Sequence, residues 1–227
     1  MANDEQPWSY SGLNGPAYWG ELNSEYSTCS SGKYQSPINL SRFIDAELPK
    51  ITFKYLATGN QIENNGHIIE INYKPGSSVK IENHIYELKQ TQFHTPGETN
   101  INGKPYPMEV HHIHADKNGK LLIIALMFEQ GDKNKALHHS WMKTLSKKHT
   151  KHLLYKNINP VFLLPDSKDY YQFEGSLTMP PCTEGVLWFV MKESLSASKE
   201  QIKELRNTIH TNNNRPLQAI NSRSIFQ

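Results

Sequence analysis

Only two cysteines, Cys29 and Cys182, occur in 227 residues. Thiolate-rich metal sites, from zinc fingers to iron–sulfur clusters, are therefore excluded. Long apolar runs are missing too. The longest, Leu121 to Phe128, falls far short of the ~18 residues a membrane span needs. Neither sign of charge is in excess: 24 Lys and Arg against 22 Asp and Glu leave +2. That balance gives no reason to expect a nucleic-acid groove or a polybasic membrane patch. Met1 to Gln6 are polar, with no basic segment leading into an apolar one, so no signal peptide is read there. The protein is then either cytosolic or has already lost a signal. Repeats, low-complexity tracts and linkers are lacking as well, and 10% aromatic residues argue against disorder.

Histidine is what the chain has in quantity, with eleven. Any metal site must be built mainly from imidazole, helped by carboxylate or amide. The length is enough to bury a substantial core. Asn-Gly pairs at Asn14-Gly15, Asn65-Gly66, Asn102-Gly103 and Asn118-Gly119 mark turns. The clearest hairpin joins Pro107–Asp116 to Leu121–Phe128. Its second arm is continuously apolar, which predicts a central strand buried on both faces. Further strands are predicted over Ile51–Tyr55, Ile68–Tyr73, Val79–Ile81, His84–His94, Asp169–Ser176 and Val186–Met191. One helix is predicted after Asp132, from Leu137, Trp141 and Leu145. A second carries Ser198 and Gln201 as a capping box, followed by Ile202, Leu205 and Ile209 on one stripe. Many strands with two peripheral helices predict an α+β domain around a large sheet.

Strand alternation places Gln90, Gln92 and His94 on one face, and Glu109, His111 and Ile113 on one face of the next arm. Pairing those strands would bring His94 and His111 together with Gln92 beside them. Three ligands with an open fourth position suit a catalytic zinc site. His112 and His114 form an alternative pair on the opposite face, without a third partner.

Several long blocks extend this pattern. They are Asn14-Gly15-Pro16 followed by Trp19, Gln35-Ser36-Pro37-Ile38-Asn39, Asn64-Asn65-Gly66-His67, Phe93-His94-Thr95-Pro96-Gly97-Glu98, Met108 to His114, Gly175 to Gly185, and Asn214-Arg215-Pro216-Leu217-Gln218. In this order they resemble the α-class carbonic anhydrases, the bacterial ones in particular. The resemblance implies a single domain over 1–227, built on a large, twisted, mostly antiparallel β-sheet with peripheral helices and the site in a conical cleft on one face. It implies a Zn2+-dependent lyase acting on CO2 and bicarbonate.

Mapped residue by residue, the family's second and third zinc histidines correspond to His94 and His111, and the first corresponds to Gln92. An amide oxygen is a poorer zinc donor than imidazole, so weakened metal binding and rate are expected. Gln90 and Glu109 match residues that support the ligands. Thr178 matches the threonine that accepts from the family's zinc-bound hydroxide, and Glu98 the glutamate that accepts from that threonine. His67 matches the proton shuttle, and Tyr10 a tyrosine that orders cleft water. Ile113, Ile123, Leu177, Val186 and Trp188 match the apolar wall for CO2. Met179 replaces a second threonine there, and Thr99 stands where a histidine often follows the glutamate. Cys29 and Cys182 match a disulfide of bacterial and secreted members, which implies an oxidising compartment, periplasmic or exported. A homodimer is expected by analogy with bacterial relatives. The alternative function is a catalytically silent module that has lost zinc, as in carbonic-anhydrase-related proteins.

Overall fold

The computed structural model describes residues 8–137 and 148–227. Thirteen strands are present among them: β1 (Asn39–Leu40), β2 (Ile51–Lys54), β3 (Gly59–Asn64), β4 (Ile69–Tyr73), β5 (Ser78–Ile81), β6 (His84–His94), β7 (Asn100–Ile101), β8 (Met108–Ala115), β9 (Leu121–Gln130), β10 (Thr150–Ile158), β11 (Tyr170–Ser176), β12 (Glu184–Met191) and β13 (Leu195–Ala197). Helices are few and short: α1 (Trp19–Leu22), α2 (Thr28–Ser31) and α3 (Lys199–Ile209). An 11-stranded sheet runs β10-β3-β4-β6-β8-β9-β12-β11, with β2 and β5 beyond β6 and β13 beside β9. Pairing is antiparallel except where β9 meets β12 and β13, and in the small β1–β7 pair.

Strand β9 explains its own apolar run. Leu122, Ile124, Leu126 and Phe128 enter one buried cluster, while Ile123, Ala125 and Met127 enter another on the opposite face. With water excluded from both faces, alternation has nothing to select for. Each such large side chain contributes about 1.5–3 kcal/mol of burial. The turn into β9 is set by Asp116, whose Oδ1 accepts from the Asn118 and Lys120 amides at 2.8 Å each. Gly119 sits there at φ +84°, a conformation that side chains with a Cβ rarely adopt.

Helix α3 has the capping box expected of it. Ser198 Oγ accepts from the Gln201 amide at 3.3 Å, and Gln201 Oε1 accepts from the Ser198 amide at 3.1 Å. Its Ile202, Leu205 and Ile209 stripe packs into the first cluster. The helix expected from Trp141 and Leu145 falls largely in 138–147, outside the described residues. Strands β3 and β10 were not expected. β3 carries Asn60, Gln61, Glu63 and Asn64 around the single isoleucine Ile62, so no apolar period announces it. Among the described residues no helix is long and apolar enough to cross a membrane.

Candidate metal centre

The register of β6 against β8 sets Gln92 opposite His111, His94 opposite Glu109 and Gln90 opposite Ile113. His94 and His111 are both buried, with ring centroids 4.5 Å apart. Each ring has one nitrogen engaged. His94 Nδ1 lies 2.8 Å from the Asn213 carbonyl, an acceptor only, so it carries the proton. Nε2 of the same ring is then an unprotonated lone pair, buried and without a hydrogen-bond partner. His111 Nε2 lies 2.8 Å from Glu109 Oε1 and donates to it, which leaves Nδ1 as that ring's lone pair. Donor atoms of His94, His111 and Glu98 lie within 4.8 Å of one another. Burial pulls the His94 imidazole down to about 3, so its lone pair is open over the physiological range.

Glu109 is held as an ionised acceptor. Its Oε2 accepts from the Glu98 and Thr99 amides at 2.7 Å each, and its Oε1 also accepts from Thr99 Oγ1 at 2.9 Å. Desolvation opposes the charge, but His111 and these donors win and hold the carboxyl below its usual range. Thr99 therefore supplies two donors to this carboxylate. Thr99→Val keeps the volume and removes the hydroxyl donor. It is expected to cost about 1.5–3 kcal/mol, the value of a hydrogen bond to a charged group. Denaturant midpoints would read the loss, and an unchanged midpoint would contradict it.

Glu98 is also buried. Its Oε1 accepts from the Arg215 amide at 2.8 Å, while Oε2 has no hydrogen-bond partner. Burial pushes this carboxyl up to about 7; His111, the Thr178 hydroxyl and the Arg215 amide pull it back, and Glu109 adds to the rise. Thr178 lies in the turn after β11, closed by the Leu177 amide on Thr183 at 3.0 Å and the Cys182 amide on Met179 at 2.9 Å. Met179 is half-buried in that turn, outside the apolar cluster. Ile113, Ile123, Leu177, Val186 and Trp188 do belong to one cluster. Strand register explains it: Ile113 opposes Ile123, and Ile123 opposes Trp188. The Trp188 ring meets His111 edge-on at 5.0 Å.

His67 is half-buried at the end of the turn before β4. It stacks on Trp8 with centroids 3.9 Å apart. Desolvation first, then His149 and Lys148, hold its imidazole below the ordinary value. Tyr10 packs edge-on with Trp8 and Trp19, its hydroxyl buried and unpartnered. Cys29 and Cys182 form a disulfide, packed with Trp19 in a third cluster.

His112 and His114 point away from this face into the other core. His112 Nδ1 meets Thr91 Oγ1 at 2.7 Å, and His114 Nε2 meets the Tyr55 hydroxyl at 2.8 Å. Sequence reading missed Asn213, whose carbonyl orients His94 and whose side chain bonds the Thr95 amide and the Phe93 carbonyl. It lies 119 residues from His94, and no local pattern links them. It also assigned nothing to Arg215, whose buried guanidinium bonds Gln35, Ser36 and the Cys29 carbonyl.

Comparison with known proteins identifies what the whole chain is similar to. The eukaryotic-type carbonic anhydrase family profile matches residues 14–227. A carbonic anhydrase of Pectobacterium carotovorum is 38% identical over 225 residues, covering 99% of this chain and 92% of that protein. The structure of a hyperthermostable carbonic anhydrase from an active hydrothermal vent chimney superposes with a TM-score of 0.94 at 45% identity, covering 97% of this chain and 99% of that one. The α-carbonic anhydrase of Thermovibrio ammonificans, in complex with sulfanilamide, matches with a TM-score of 0.94 at 38% identity and the same coverage. The chain belongs to the eukaryotic-type, or α-class, carbonic anhydrase family, the enzymes of reversible CO2 hydration.

Proposed function

We propose that this chain hydrates CO2 to bicarbonate and a proton with a zinc ion held by His94 Nε2, His111 Nδ1 and the amide oxygen of Gln92. The buried, unpartnered Nε2 of His94 carries the proposal. A lone pair stripped of water with nothing to bond costs free energy, and a cation beside it removes that cost. The donor set fits zinc: two neutral imidazoles with their other nitrogens tied down, plus one oxygen. Zinc so bound would lower the pKa of a water toward ~7 and supply the nucleophile.

The chain's own residues do the rest. With its hydrogen turned to the Glu98 carboxylate, the Thr178 hydroxyl oxygen could only accept, which would orient the attacking group toward the apolar wall. Ile113, Ile123, Leu177, Val186 and Trp188 give CO2 a dry resting place. His67, an imidazole that releases its proton readily, carries the product proton toward solvent, and the Tyr10 hydroxyl helps order the intervening water. Gln92 holds metal more weakly than an imidazole would, and turnover falls with it. The Cys29–Cys182 disulfide fits an oxidising compartment, periplasmic or extracellular.

Metal analysis of purified protein with CO2 hydration assays, on wild type and Gln92→His, tests this reading. Wild type should carry zinc and turn over. Gln92→His should bind zinc at least ~10-fold more tightly, since losing even a supporting partner of a ligand costs about 10–100-fold. A metal-free, inert wild type, with both properties restored in Gln92→His, would establish the silent module instead.

A further inference from the structure

Gln92 is one end of a chain of side-chain amides that crosses from β6 to β4 on the face of the candidate centre. Gln92 Nε2 donates to Gln90 Oε1 at 3.1 Å. Gln90 Nε2 donates to Asn72 Oδ1 at 3.0 Å. Asn72 Nδ2 donates to Glu70 Oε1 at 3.5 Å. The register that opposes Glu70 to Gln92 and Asn72 to Gln90 brings the four together.

An amide has a donor end and an acceptor end, and three amides in a row can run in either direction. The carboxylate removes that freedom. Ionised, Glu70 can only accept, so Asn72 must turn its NH2 toward it. The Asn72 oxygen is then left for the Gln90 NH2, and the Gln90 oxygen for the Gln92 NH2. The oxygen of Gln92 takes no hydrogen bond among the described residues. Gln92 lies opposite His111 and two residues from His94 on their shared face.

We infer that Glu70 and Asn72 are positioning residues that fix the direction of this amide chain, so that Gln92 turns its carbonyl oxygen, not its NH2, to a metal ion between His94 and His111. A reversed chain would aim an NH2 donor at the cation and forfeit the third ligand. Each bond also polarises the next, which makes the terminal oxygen a better donor than an isolated amide. This rests on the metal reading proposed above, and one half of its test does not need a metal.

In metal-free protein, the side-chain NH2 signals of Asn72, Gln90 and Gln92 in 1H–15N spectra should all shift in Glu70→Gln, which lets the chain reverse. A change confined to Asn72 would overturn the inference. Co2+ titration should show about tenfold weaker binding for Glu70→Gln. In a Gln92→Ala background the same substitution should change nothing. Equal weakening in both backgrounds would mean that Glu70 acts by its charge alone, and no weakening in either would also overturn the inference. Adding Asn72→Asp to Glu70→Gln puts an acceptor-only group directly on Gln90 and should restore the Gln90 and Gln92 NH2 signals and the affinity. Should wild type bind no Co2+, the metal reading falls, and the amide spectra still decide the direction of the chain.

Discussion

Replacing Cys29 and Cys182 together by alanine is expected to cost roughly 5 kcal/mol of folding stability, as the chain-entropy treatment of loop closure gives for so long a loop. The disulfide joins residues 153 apart, and a cross-link that wide removes many conformations from the unfolded chain. Stabilities of 5–15 kcal/mol are usual, so the loss is a large share of the total. Alanine is the right replacement because both sulfurs are buried against Trp19, where a serine hydroxyl would need a partner. Both cysteine carbonyls are already used: Cys29 accepts from Arg215 Nη2 at 2.8 Å, and Cys182 from Gln35 Nε2 at 3.1 Å. Those bonds tie the Thr178 turn to the Arg215 segment that reaches Glu98, so the native arrangement should persist without the cross-link. Guanidinium unfolding of oxidised wild type, reduced wild type and the double variant checks this. The two disulfide-free forms should share a lowered midpoint, with near-UV circular dichroism unchanged before the transition. Coincident midpoints in all three would show that the cross-link contributes nothing.

Acidification should weaken the fold through His112 and His114. Both are fully buried, on the face away from the candidate centre. Burial pulls His114 down to about 3, against backbone hydrogen bonds with Leu122 and His112 that favour the charged form. Burial, then His114 and His111, lower His112 well below its ordinary value. In the unfolded chain each returns to ~6.5. Between those values the unfolded state binds protons that the folded state refuses. Stability is therefore fully present above pH ~6.5 and is lost as pH falls toward ~3. At pH 5 this amounts to about 2 kcal/mol for His114, from 1.36 kcal/mol per unit, and His112 acts in the same direction. His94, held to about 3 by the same burial, adds to the slope. Urea unfolding between pH 7.5 and 4.5 should show the decline. His112→Leu should flatten the slope by about one proton; it removes one partner of the Thr91 hydroxyl, which keeps its bond to the Tyr73 hydroxyl. An identical slope in that variant would remove His112 from the account.

Part of this protein could be read along the chain because its signals are local. The apolar run of β9, the Asn118-Gly119 turn and the Ser198–Gln201 box depend on neighbours a few residues away, and each formed where expected. The shared face of Gln90, Gln92 and His94 followed from alternation alone. The wider alternation of β6 misleads. Leu88 stands two residues before Gln90, yet it packs in the opposite core. A register shift between Leu88 and Gln90 inserts Lys89 without a partner and reverses the facing of everything after it. Nothing in the composition of that segment distinguishes a bulge from a regular strand.

Sequence by itself determined which donor types stand near one another on β6 and β8, that an amide, Gln92, stands beside the two imidazoles, and which elements surround them. Tertiary structure alone decided which nitrogen of each ring is free and which way Gln92 points. Those choices are made by Asn213 on His94, Glu109 on His111, and Glu70 acting through Asn72 and Gln90. Hydrogen bonds have direction, and direction is set by the acceptor that folding brings alongside, which for His94 comes from 119 residues away.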